Sequence, residues 1–161
     1  MPVRIRRTFP ERPLTNRDCP GGTLYASLDW DGPPRPGAVR FTDRPNERLP
    51  PEQRDLRVCL LLAEEGGRVV GLALVSSEPE VLYLVRVQAT GEALWALLRH
   101  AVAEAGERPL LGHARDTAAN RVVLRSVGLR VRAAAAGSAD CLFDTCPPSQ
   151  VGAVLSEDRG G

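Results

Sequence analysis

The sequence predicts a mixed α/β domain, a mainly antiparallel sheet flanked by helices, in the order β-β-β-α-β-α-β-β from residue 57. Two observations carry this. The apolar runs RVCLLLA (57–63) and RVVGLALV (68–75) are separated only by Glu64-Glu65-Gly66-Gly67, the signature of a hairpin, here with a four-residue loop. Beyond residue 90 the apolar spacing switches to helical, back to strand, and to helical again.

The first 56 residues read as a proline-rich N-terminal segment, holding ten of the fourteen prolines. Proline removes amide donors and fixes φ, so neither a long helix nor a central strand is expected there. A short edge strand fits Val3 to Thr8, and TLYASL (23–28) fits a second short element. The core is expected over 57–146 and a flexible tail over 147–161. Both faces of the 57–63 and 68–75 runs are apolar, which predicts a sheet covered on both sides. VLYLVRV (81–87) reads as the third strand, with Tyr83, Val85 and Val87 on one face. From Gly91 to Ala105, Ala93, Leu94, Leu97, Leu98, Ala101, Val102 and Ala105 make a single helical stripe, ended by Gly106. Leu110 to Arg115 is a short strand, and Thr117 to Val127 a second helix closed by Gly128. LRVRAAAA and ADCLFD form a last hairpin.

A formal net charge of +1 argues against an electrostatic nucleic-acid binder. No apolar run reaches the roughly 18 to 20 residues needed to span a bilayer, and MPVRIRRTFP lacks the apolar segment of a secretory signal. Cys19, Cys59, Cys141 and Cys146 form no Cys-x-x-Cys pair, so no metal site is expected. These points together indicate a cytoplasmic protein with reduced thiols and neither nucleic-acid nor membrane partners; a homodimer is compatible with them.

The chemistry concentrates at the corner after Val87. It follows a strand, opens a helix, and contains a residue without a Cβ. The first amides of a helix have no intrahelical partner and sit at the positive end of its dipole. A corner of this kind suits a phosphate or diphosphate, with Gly91 allowing close approach.

Gln88-Ala89-Thr90-Gly91-Glu92-Ala93 resembles the Q/R-x-x-G-x-G/A motif of the GCN5-related N-acetyltransferase (GNAT) superfamily. TAANRVVLRSVGLRV (117–131) is similar to a segment of its ribosomal-protein alanine acetyltransferase branch, with Thr117 in the Asn position and Asn120 in the Ser position. The likeness covers about residues 57 to 145. It implies the acyl-CoA N-acyltransferase fold and acetyl-CoA as co-substrate. Backbone amides from Gln88, Ala89, Thr90, Gly91, Glu92 and Ala93 would hold the diphosphate. Val85 and Val87 would pair with the pantetheine arm, and Asn120 would contact the cofactor. An amine of a small molecule or a protein N-terminus would attack the thioester directly. Candidate catalytic residues are Glu80 (beside Glu78), where relatives often hold a water-linked base, Tyr83 as a hydrogen-bonding group, and His113 as proton acceptor. The chain departs from the family pattern in three places. Gln88 follows the strand without a spacer, no Arg or Lys lies between Val87 and Trp95, and Leu124 stands where many members carry a tyrosine. A non-catalytic member of the same fold, serving as an interaction or scaffold domain, is the alternative reading.

Overall fold

The computed structural model describes residues 2–12, 28–29, 39–45, 47–51, 57–134 and 136–145. Its strands are β1 (Arg4–Pro10), β2 (Leu28–Asp29), β3 (Val39–Thr42), β4 (Val58–Glu65), β5 (Arg68–Ser77), β6 (Leu82–Gln88), β7 (Leu110–Arg115), β8 (Arg130–Ala133) and β9 (Asp140–Asp144). Helix α1 (Gly91–Ala105) joins β6 to β7, and α2 (Ala118–Ser126) joins β7 to β8. From residue 57 the order is the expected one. The strands form one sheet in the order β2-β3-β1-β4-β5-β6-β7-β9-β8. The β2–β3 and β6–β7 pairs are parallel and the remainder antiparallel. The tail over 147–161, Cys19, Cys146 and residues 23–27 lie outside the described residues.

Three expectations need correction. The hairpin loop between β4 and β5 has two residues, because Glu64 and Glu65 pair with Val69 and Arg68. Gly66 and Gly67 both have positive φ, 60° and 80°, the conformation that a tight two-residue hairpin turn demands. The N-terminal strand is not a simple edge. Its residues Arg4 to Thr8 pair with β4, while Phe9 and Pro10 pair with β3.

The third correction concerns β6. Val75 pairs with Leu84 and Leu74 with Arg86, leaving Val85 as an extra residue in a bulge. A bulge resets the alternation of side chains. Leu84 and Val87 therefore both enter the main core, three residues apart, while Val85 packs against the opposite side. Tyr83 and Val85 do not share a face with Val87.

Both helices pack on one face of the sheet, against Leu61, Ala73, Leu84, Leu110 and Phe143 among others. The other face of β4 and β5 buries Leu60, Leu62, Leu72 and Leu74, so these two strands are covered on both sides as their composition indicates. Arg108 fastens the β5–β6 turn to the C-terminal end of α1. Its guanidinium donates to Ser77 Oγ (2.9 Å), to the Glu78 carbonyl (2.7 Å) and to the Glu104 and Ala105 carbonyls (3.0 and 3.2 Å). Carbonyls at a helix end lack intrahelical donors, and one arginine satisfies two of them here. No described helix is long and apolar enough to cross a membrane.

Candidate functional site

At the corner between β6 and α1, Thr90 is extended (φ −136°, ψ 161°) and its side chain makes no cap to the helix. Gly91, the first helical residue, has φ +57°, a conformation that L side chains reach only at a cost. A Cβ placed there would meet nothing within 4 Å. Glycine is therefore set by the backbone, and the space beside it is open. The first helical hydrogen bond runs from Leu94 N to Thr90 O. Among the described residues, none supplies an acceptor to the amides of Gly91, Glu92 or Ala93. Gln88, Thr90, Gly91 and Glu92 are exposed, Ala89 is half-buried and Ala93 buried.

A concavity of about 300 Å³ adjoins the corner, lined by Val69, Val70, Gly71, Leu72, Gln88, Ala89 and Thr90. Gly71 makes it possible for the corner to pack on β5. A Cβ on it would lie 2.7 Å from the Ala89 Cβ and 3.2 Å from the Ala93 Cβ. This glycine interrupts an apolar strand, which is itself a sequence signal of close backbone approach.

A second cavity, of about 350 Å³, lies on the face of the sheet away from the helices, over the seam of β6, β7 and β9. Its lining includes Tyr83, Val85, His113, Leu111, Leu142 and Arg132. Leu84 pairs with Gly112 and Val87 with Ala114, so Val85 and Arg86 together face the single residue His113. The bulge therefore interrupts the β6–β7 ladder at the wall of the cavity. Tyr83 is 41% exposed and His113 is also exposed, so neither belongs to the core. Arg132, Leu111 and Leu142 were not anticipated. Their signal was the alternation of Arg130 with Arg132, and of Leu111 with His113.

The remaining candidates stand apart. Glu80 is exposed at the N-terminal end of β6 and lines neither concavity. Glu78 accepts from Ser76 Oγ (3.2 Å) and pairs with Arg57 (3.4 Å), bonds that belong to the turn. Asn120 is 1% exposed. Its backbone N–H donates to Thr117 Oγ1 (3.1 Å) and its Nδ2 to the Arg115 carbonyl (3.0 Å), which ties α2 to the end of β7. Its Oδ1 is buried without a partner among the described residues.

Cys59 and Cys141 are buried. Burial pushes the Cys59 thiol up to about 11 and raises that of Cys141. Neither is a thiolate nucleophile at neutral pH, so a covalent acyl-cysteine at these two positions is disfavoured.

No protein-family model matches the chain, and no curated protein matches it. Among solved structures it is similar to the IAA acetyltransferase from Bacillus cereus ATCC 14579, at 18% identity and a TM-score of 0.43, covering 55% of this chain and 77% of that one. It is also similar to the ribosomal-protein-S18-alanine N-acetyltransferase from Escherichia coli, at 19% identity and a TM-score of 0.44, covering 56% and 69%. A third is a GNAT family acetyltransferase from Elizabethkingia anophelis with acetyl-CoA bound, at 15% identity and a TM-score of 0.40, covering 55% and 76%.

Proposed function

We propose that this chain is an acetyl-CoA-dependent N-acetyltransferase, its core running over 57–146 with β1 added from the proline-rich first 56 residues. The observation that carries the reading is the uncapped corner at residues 88–93. It combines open amides, a glycine at positive φ with free space beside it, and an adjoining concavity. A diphosphate fits such a corner because it accepts hydrogen bonds from those amides and meets the positive end of the α1 dipole. The interruption of the β6–β7 ladder at Val85–Arg86 lies about 10 Å along the strand from Gln88. Val85, the extra residue of the bulge, is where an extended amide-bearing arm would run beside the strand. The cavity with Tyr83 and His113 is the place for the acceptor.

The amine nitrogen attacks the thioester carbonyl, forming the N–C bond as the C–S bond breaks and the thiolate leaves. His113 takes the proton from the amine, and the Tyr83 hydroxyl supplies one to the thiolate. Glu80 is set aside as a base because it lines neither concavity. Orientation of two reactants supplies much of the rate in such a transfer.

A second reading, the non-catalytic scaffold, draws on one observation. The β6–β7 ladder closes again at Val87–Ala114, one residue before Gln88, which narrows the passage between the two concavities. Thermal unfolding separates the readings. Acetyl-CoA at a hundredfold excess over its Kd stabilises the fold by about 2.7 kcal/mol and raises Tm. An unchanged Tm at millimolar acetyl-CoA removes the transferase reading.

A further inference from the structure

The cavity on the open face of β6, β7 and β9 has an asymmetric lining. Its walls include the apolar side chains of Val85, Leu111 and Leu142, and its polar groups are the Tyr83 hydroxyl, the His113 imidazole and the Arg132 guanidinium. Among the described residues no carboxylate lines it. Arg132 is the one permanently charged group there, with its side chain 64% exposed.

The reason Arg132 holds its place lies beside the cavity. Asp144 is 3% exposed and accepts from Arg130 Nε at Oδ1 (2.8 Å) and from Arg132 Nη2 at Oδ2 (2.9 Å). One carboxylate is thus shared by two guanidinium groups, and the trio keeps a net positive charge. A guanidinium has five N–H donors in a planar fork that matches a carboxylate, and the Asp144 contact uses one of those on Arg132. The strand register sets the remaining spacing. Arg132 stands opposite Leu142, Leu142 opposite His113, and His113 opposite the Val85–Arg86 bulge. Arginine, apolar surface and imidazole therefore follow one another across adjacent strands.

We propose that this cavity selects acceptors bearing a carboxylate, of the apolar α-amino acid class, with the carboxylate on Arg132 and the amine toward His113 and Tyr83. The inference rests on the acetyl-transfer reading for the role of the amine; the carboxylate preference rests on Arg132 alone. It also separates two acceptor classes that the sequence left open. A free amino acid presents a carboxylate one carbon from its amine, whereas a protein N-terminus presents a neutral peptide carbonyl there. A cavity of about 350 Å³ is at the small end of ligand sites, in keeping with a single amino acid.

The test compares leucine with leucinamide, which lacks only the carboxylate, by titration calorimetry on the full chain, with and without saturating acetyl-CoA. Leucine is expected to bind about tenfold tighter than leucinamide, as for a charge-assisted pair. Arg132→Gln should bring leucine down to the leucinamide level and leave leucinamide unchanged. Equal affinities in the unaltered protein, or no binding of either, overturn the proposal without recourse to any variant. Arg132→Gln binding leucine as tightly as the unaltered chain also overturns it. The acetyl-CoA melting shift reads separately. A carboxylate preference without that shift defeats the transferase reading and leaves the anion site standing. A shift without the preference defeats only this inference.

Discussion

The chain makes the same connection twice, a strand running directly into a helix through a threonine, and it finishes the two corners differently. Before α2, Thr117 caps the helix through its own side chain, Asn120 reaches back to the Arg115 carbonyl, and Asp116 forms a two-point ion pair with Arg121 (2.6 and 2.9 Å). Before α1, Thr90 has a similar extended backbone yet caps nothing, and Gly91 opens the helix at positive φ. A missing cap costs about 1 kcal/mol. Helix α1 tolerates that because Leu94, Leu97 and Leu98 are fully buried, each contributing about 1.5 to 3 kcal/mol. Helix α2 is shorter, with Asn120 and Leu124 as its buried residues, and depends more on its local bonds. The helix with packing to spare is the one whose end is left open.

The largest expected effect comes from Gly71→Ala. The new methyl would lie 2.7 Å from the Ala89 Cβ, and such overpacking costs about 1 to 3 kcal/mol. Because the strain falls on residues 89–93, the acetyl-CoA melting shift should be lost as well. Retention of the full shift would mean that the ligand does not use this corner. Next is the paired substitution of the two threonines, read by chemical denaturation. Thr117→Ala should cost about 1 kcal/mol, and Thr90→Ala should fall within about 0.5 kcal/mol of the starting protein. Equal losses would show that both corners are capped in solution and would remove the contrast.

Much of this layout was legible because the elements follow single periods. The α1 stripe from Ala93 to Ala105 predicts the helix Gly91–Ala105 as it stands, and Leu110–Arg115 likewise. What escaped the sequence depended on register. Leu82, Leu84, Val85 and Val87 are all apolar, so strict alternation puts Tyr83 on the face of Val87, and Arg86, at the parity of the buried Leu82 and Leu84, is the one sign of the bulge. Glu64 and Glu65 look like loop residues, yet charged side chains are well placed at the end of a ladder beside a glycine pair. The second cavity was the least legible feature. Tyr83, His113 and Arg132 come from three separate strands, and their shared exposure follows from both helices packing on the other face. By contrast the corner at Gly91 was read from one continuous segment, because strand end, glycine and helix start are adjacent in the chain.

The smallest effect is the most specific. Glu92 lies exposed in the first turn of α1, where its carboxylate interacts favourably with the helix dipole by about 0.3 to 1 kcal/mol. The same charge opposes any anion brought to the amides beside it. Glu92→Gln should therefore lower the stability of the ligand-free protein by about 0.3 to 1 kcal/mol and tighten acetyl-CoA about two- to fivefold. The opposite signs separate a diphosphate at this corner from a general effect on folding. Glu107→Gln, just past the other end of α1 where a carboxylate opposes the dipole, should leave acetyl-CoA affinity unchanged and move stability, if at all, upward. Both effects should shrink as ionic strength rises, since the side chain is solvated and within reach of screening. Loss of stability with no gain in affinity would place the diphosphate away from α1 and leave the corner as an uncapped helix end.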